Sequence, residues 1–104
     1  MIIDHRTYRI KHGKTAEYIA LFEEFAMPVQ RRHIGEPIGY FETAIGAINE
    51  VVHLWAYEDM GDMERKRTAR DADPDWIAYK KKTAGMLLTQ DNKIVKPTAF
   101  SPIK

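Results

Sequence analysis

A chain of 104 residues sets the expectation of one domain spanning 1–104, with a single two-layer core. Charged residues make up 30% of it and balance to a formal +1, which argues against a general drive toward nucleic acid or an acidic membrane. With no cysteine there is no disulfide, thiol nucleophile or thiolate metal site, and no apolar run approaches the roughly 20 residues of a membrane span.

The first residues, Met1 to Arg6, become charged too early for a signal peptide, so the cytoplasm is the expected compartment. Ile2 to Ile10 alternate loosely and contain Ile, Thr and Tyr, the pattern of a first strand, which Gly13 ends. Thr15 is the expected N-cap of a helix with Glu17 in its first turn. Tyr18, Phe22, Phe25 and Val29 recur at spacings of four, three and four along one face of that helix. Pro28 lies inside it, removes a backbone donor and predicts a kink. Arg31, Arg32 and His33 fall in the last turn, where the helix dipole favours cations, and Gly35 suits the C′ position.

Pro37 opens a second strand, Ile38 to Ile45, and Gly46-Ala47 reads as a tight turn into a third strand from Ile48 to about Glu58. Asp62 is the expected cap of a short helix through Arg70. Asp73-Pro74-Asp75 restarts a helix: an N-cap, a proline at the first helical position and an acid in the first turn. Trp76, Ile77, Ala84 and Leu87 or Leu88 are expected inward, and Lys80-Lys81-Lys82 outward as solvated surface. Gln90-Asp91-Asn92 reads as a turn and Ile94 to Phe100 as a last strand, with Pro97 at a sheet edge or the strand end. The order β-α-β-β-α-β, its second helix broken in two, predicts an α+β, ferredoxin-like antiparallel sheet with the helices on one face.

An even-length turn at Gly46-Ala47 pairs Ile45 with Ile48, Phe41 with Val52, Tyr40 with His53 and Glu42 with Val51. Apolar and polar positions then segregate, and the face carrying Tyr40, Glu42, Asn49, His53, Trp55 and Tyr57 is expected to point away from the helices. So aromatic a face needs covering, either by a second subunit stacked on it or by a flat ligand.

The chain resembles the NIPSNAP-domain family. The residues that carry the resemblance are Arg6-Thr7-Tyr8 and Gly13, Pro28 with Arg31-Arg32-His33-Ile34-Gly35, and Gly39-Tyr40-Phe41. The central motif is Gly46-x-x-Asn49-Glu50-Val51-Val52-His53-Leu54-Trp55-x-Tyr57, followed by Arg65 or Arg67 with Arg70, Asp73-Pro74-x-Trp76 and Phe100-Ser101-Pro102. The resemblance covers nearly the whole chain and implies a dimeric α+β barrel in which two sheets pack face to face around an elongated cavity. It implies no defined activity, because related barrels include cofactor-free monooxygenases, haem-degrading enzymes, isomerases and dehydratases.

His53 is the strongest chemical candidate, with an ordinary pKa of about 6.5 suited to acid–base work and Glu42 as its partner. The structural alternative is a buried histidine bonded to Tyr40 or Glu42 at a dimer seam. Tyr40, Trp55 and Tyr57 are the candidate ligand walls, or else packing residues. Arg65, Arg67 and Arg70 could close over an anion, or pair with Asp62, Glu64 and Asp71. The facing of Arg6 and Tyr8 is open. Four histidines without paired spacing give no metal site, and there is no Gly-x-Gly-x-x-Gly, P-loop or Gly-x-Ser-x-Gly motif. RNA-recognition domains share the strand order, but their motif of basic, glycine and aromatic residues is missing and no nucleic-acid partner is expected. Two functions follow: a homodimeric barrel that binds a small metabolite near His53, without a bound cofactor, or a non-catalytic interaction module whose polar-aromatic face is only a dimer interface.

Overall fold

The computed structural model describes residues 1–104. Its elements are β1 (Ile2–Ile10), α1 (Thr15–Leu21), a π-helical segment (Phe22–Ala26), α2 (Met27–His33), β2 (Gly39–Glu42), β3 (Glu50–Tyr57), α3 (Met60–Asp71), α4 (Pro74–Lys82) and β4 (Leu87–Val95). The strands form one antiparallel sheet in the order β2-β3-β1-β4, the α+β, ferredoxin-like arrangement expected from the element order.

The first helix runs without a break from Thr15 to His33, but its middle is π-helical. Pro28 has no N–H to offer Glu24, and its ring would crowd that carbonyl. The π segment immediately before it widens the helix, so the expected kink takes this form. Thr15 is the first residue of α1 rather than its cap, and its hydroxyl donates instead to Oδ1 of Asn49 at 3.0 Å.

The β2–β3 register is the predicted one: Tyr40 opposite His53, Phe41 opposite Val52, Glu42 opposite Val51. The tight turn is not. Pairing stops at Glu42, and residues 43–49 form an open loop in which Gly46 (φ +117°) and Asn49 (φ +64°) adopt left-handed conformations. Ile45 is almost fully exposed there and pairs with nothing.

The expected turn at Gln90-Asp91-Asn92 lies inside β4, where these residues pair with Tyr8, Thr7 and Arg6. β4 is an edge strand exposed along most of its length, so it carries polar residues that imitate a turn. The reversal occurs earlier, through Gly85 at φ +80°.

α3 begins at Met60, capped by Asp59, whose carboxylate accepts from the Asp62 amide at 2.8 Å. Asp62 itself reaches back to the Glu58 amide at 2.9 Å, a reciprocal arrangement like a capping box. α4 starts as predicted, with Asp73 as N-cap and Pro74 first. Its inward residues are Tyr79 and the half-buried Trp76, followed by Thr83 just past its end. Ile77, Ala84 and Leu88 are exposed.

The largest departure concerns the two faces of the sheet. Val51, His53, Trp55 and Tyr57 point toward the helices and are almost fully buried. Phe22 touches the rings of Tyr40, His53, Trp55 and Tyr79, and so forms the hub between sheet and helices. Asp4, Arg6 and Tyr8 share this face, because they pair with Trp55, His53 and Val51. The aliphatic set Val52, Leu54 and Ala56, with Thr7 and the 57% exposed Phe41, occupies the open face. The segregation was legible but its direction is reversed. The helices offer the rings of Tyr18, Phe22 and Tyr79, and aromatic side chains fill the gap to them better than short aliphatic ones.

Candidate functional site

Between the helix-side face of β1 and β3 and the helices α3 and α4 lies a cavity of about 580 Å³, within the range of small-molecule sites. All of its lining residues come from a single copy of the chain. Its aromatic walls are Tyr8, Phe22, Trp55, Tyr57 and Trp76. Five cations (Arg6, Arg67, Arg70, Lys80, Lys81) reach it, against two carboxylates, Asp4 and Asp71.

Both carboxylates are already engaged. Arg6 donates from Nε to Oδ2 of Asp4 at 2.9 Å and from Nη1 to the Tyr8 hydroxyl at 2.6 Å. Burial opposes the Arg6 charge, but Tyr8 and Asp4 more than offset it, and the guanidinium stays firmly charged. Arg70 donates to Asp71 at 2.8 Å and to Gln30 at 3.3 Å, and lies 4.3 Å from the Trp76 ring centre. It ties α3 to α2 and α4 while lining the cavity. Arg67, Lys80 and Lys81 have no ion-pair partner, so the unneutralised charge of the cavity is positive.

His53 sits on the sheet wall. The Trp55 indole donates from Nε1 to Nδ1 of His53 at 2.6 Å. Tyr40 stacks on the imidazole at 4.5 Å between ring centres, and Tyr8 meets it edge-on at 4.7 Å. Burial first, then the charges of Arg6 and His5, push the His53 pKa down to about 3. The ring is therefore neutral near pH 7, and the imidazolium needed for an acid role is not populated. Burial likewise raises the phenols of Tyr40 and Tyr57. Three buried polar atoms have no hydrogen-bond partner: Oδ1 of Asp4, the Tyr40 hydroxyl and Nε2 of His53.

The structure thus gathers His53, Trp55, Tyr57 and Arg70 around one cavity, with Tyr40 stacked behind His53. Glu42 is exposed on β2 and makes no contact with His53; the indole of Trp55 takes the partner's place. Arg65 is exposed on α3, and its neighbour along the helix, Arg67, lines the cavity instead. Lys80 and Lys81, expected as solvated surface, reach the cavity rim. Asp4 and Gln30 gave no signal in the sequence. Asp4 could have been found once Arg6 and Tyr8 were placed, since all three share one strand parity. No three His, Asp or Glu side chains converge in metal-binding geometry. The aromatic face is covered by the chain's own helices, so it is not free to serve as an interface between copies. No helix is long and apolar enough to cross a membrane.

A four-stranded ferredoxin-like sheet with a cavity under its helices defines a class of α+β domain that hosts many chemistries. A putative antibiotic biosynthesis monooxygenase from Nitrosomonas europaea shares this fold, with a TM-score of 0.70 at 12% identity over 93% of this chain and 98% of its own.

The family is narrower: the family model described as NIPSNAP matches residues 3–102, and the chain belongs to the NIPSNAP family. A crystal structure of a NIPSNAP family protein with unknown function from Agrobacterium tumefaciens is 38% identical, with a TM-score of 0.94 over 100% of this chain and 94% of that one. The NipSnap homolog of Dictyostelium discoideum is 34% identical over 88% of this chain. The chain spans 40% of the length of that relative.

Proposed function

We propose that this NIPSNAP domain is a homodimer whose protomers each bind a small, partly aromatic anion in the cavity beside His53. The observation that carries the reading is the composition of that cavity: aromatic walls with Arg67, Lys80 and Lys81 unpaired at their margin. Aromatic faces supply area and the cations supply charge selection. The second copy covers the aliphatic face of the sheet rather than the aromatic one. The cysteine-free composition fits a cytoplasmic setting. The bound compound is a ligand or a substrate, and the geometry favours hydrogen bonding by neutral His53 over proton transfer through an imidazolium.

The test is thermal unfolding with phenylacetate and with its uncharged counterpart phenylacetamide. A ligand that binds only the folded state raises the midpoint as its concentration exceeds Kd. Phenylacetate should stabilise and phenylacetamide should not, and the Arg67→Ala, Lys81→Ala double variant should lose the effect. Equal stabilisation by the amide, or no shift with either compound, would end the anion reading.

A further inference from the structure

Trp55 dictates the tautomer of His53. An indole nitrogen can only donate, so Nδ1 of His53 must accept and the ring proton resides on Nε2. That Nε2–H is buried without an acceptor. On the same sheet face, Asp4 and His53 are diagonal neighbours, because Asp4 pairs with Trp55 and Arg6 with His53. Oδ2 of Asp4 is taken by Arg6, while Oδ1 is buried without a donor. Asp4 and His53 are each only 2% exposed, and both line the cavity. A buried donor and a buried acceptor left open on the same face of the sheet are costly to the empty protein and are completed by a ligand carrying the opposite pair.

We propose that the cavity wall reads a hydroxyl beside a carbonyl or carboxylate oxygen: His53 donates from Nε2 to the oxygen, and Oδ1 of Asp4 accepts from the hydroxyl. The ligand class is an aromatic 2-hydroxy acid or an equivalent hydroxy-carbonyl anion. This deepens the cavity reading above and rests on it. Trp55 acts as a positioning residue, since it reaches the ligand's oxygen only through the tautomer it imposes. Arg6 is held at the same wall by Asp4 and Tyr8, where its charge favours the ligand's anionic end.

The experiment compares mandelate, each enantiomer separately, with phenylacetate, which lacks only the hydroxyl. Calorimetric titration of the intact protein should find one mandelate enantiomer bound roughly 10-fold tighter, the worth of one hydrogen bond to a charged group. In Asp4→Asn the ratio of mandelate to phenylacetate affinity should shrink below about 2-fold, whatever change the lost charge makes to both compounds alike. Phenylacetate binding with no mandelate advantage would overturn this inference and leave the anion cavity standing; failure of both compounds would remove both. Nitrogen-15 spectra of the ligand-free protein test the donor separately. They should show Nε2 protonated and Nδ1 bare between pH 5 and 8, and Trp55→Phe should mix the tautomers. An Nδ1–H ring or an imidazolium in the wild type would overturn the donor role.

Discussion

At the scale of residues, burial decides what each group can do. His53 is pushed down to about 3 from an ordinary 6.5, with burial as the leading cause. A proton therefore prefers the unfolded chain. The sign follows: the contribution of a neutral His53 is complete above about pH 6.5 and is lost as pH falls from there toward 3, at up to about 1.4 kcal/mol per pH unit. Denaturant unfolding between pH 7 and 4 should show this slope, and His53→Gln should flatten it; an unchanged slope would mean that another group carries the titration. Asn49 makes a second residue-scale case. It holds φ +64° where the loop meets β3 and accepts from the Thr15 hydroxyl, which joins the hairpin to the start of α1. Alanine there loses both the tolerance of a left-handed backbone and the hydrogen bond, so Asn49→Ala should cost about 1–2 kcal/mol. Asn49→Gly should cost less, because it keeps the backbone freedom. Equal losses in urea melts would show that the side-chain bond matters and the conformation does not.

At the scale of elements, Asp73 joins two helices. It caps α4 through the Asp75 amide at 2.9 Å, and its other oxygen receives His33 at 2.8 Å and Arg32 at the end of α2. His33 first, then the Asp75 amide, holds the carboxylate down to about 2, burial opposing and Arg32 reinforcing the shift. Its contribution is full above the ordinary carboxylate range and disappears as pH falls from about 4 through 2. Asp73→Asn should raise the pH midpoint of acid unfolding and should leave stability between pH 7 and 5 with an unaltered slope, a window that belongs to His53. The clasp was half visible in the sequence: Asp-Pro-Asp announced the cap, while the basic turn at Arg31-Arg32-His33 was accounted for by the helix dipole alone. The same limit explains the other differences. Period and register are local, so β1 and the Tyr40–His53 pairing were legible. Which face of β3 meets the helices depends on what the helices present, and β4 depends on neighbours that allow a polar run such as Gln90-Asp91-Asn92 to stay extended. Of the site, the residues clustered in the central motif were found. Asp4 and Gln30 were not, because only the tertiary fold brings them to the cavity.

At the scale of the whole molecule, the reversed facing separates two surfaces that the sequence had merged. The cavity lies under the helices, and the surface they leave uncovered is the aliphatic side of the sheet, where Phe41 and Thr7 flank Val52 and Leu54 lies beside Gly39 and His5. An antiparallel sheet with helices on one side must solvate or cover the other, and this one carries apolar residues on its central strand. A two-fold axis through the face would set the same patch against itself. Val52→Lys places a charge at the centre of that patch while the position stays outside the monomer core. The wild type should sediment as a dimer at micromolar concentration and the variant as a monomer, with phenylacetate still raising the melting temperature of both because the cavity is on the opposite side of the sheet. A dimer that survives Val52→Lys would move the interface elsewhere. A monomer that no longer responds to phenylacetate would show instead that the second copy shapes the cavity across the thickness of the sheet.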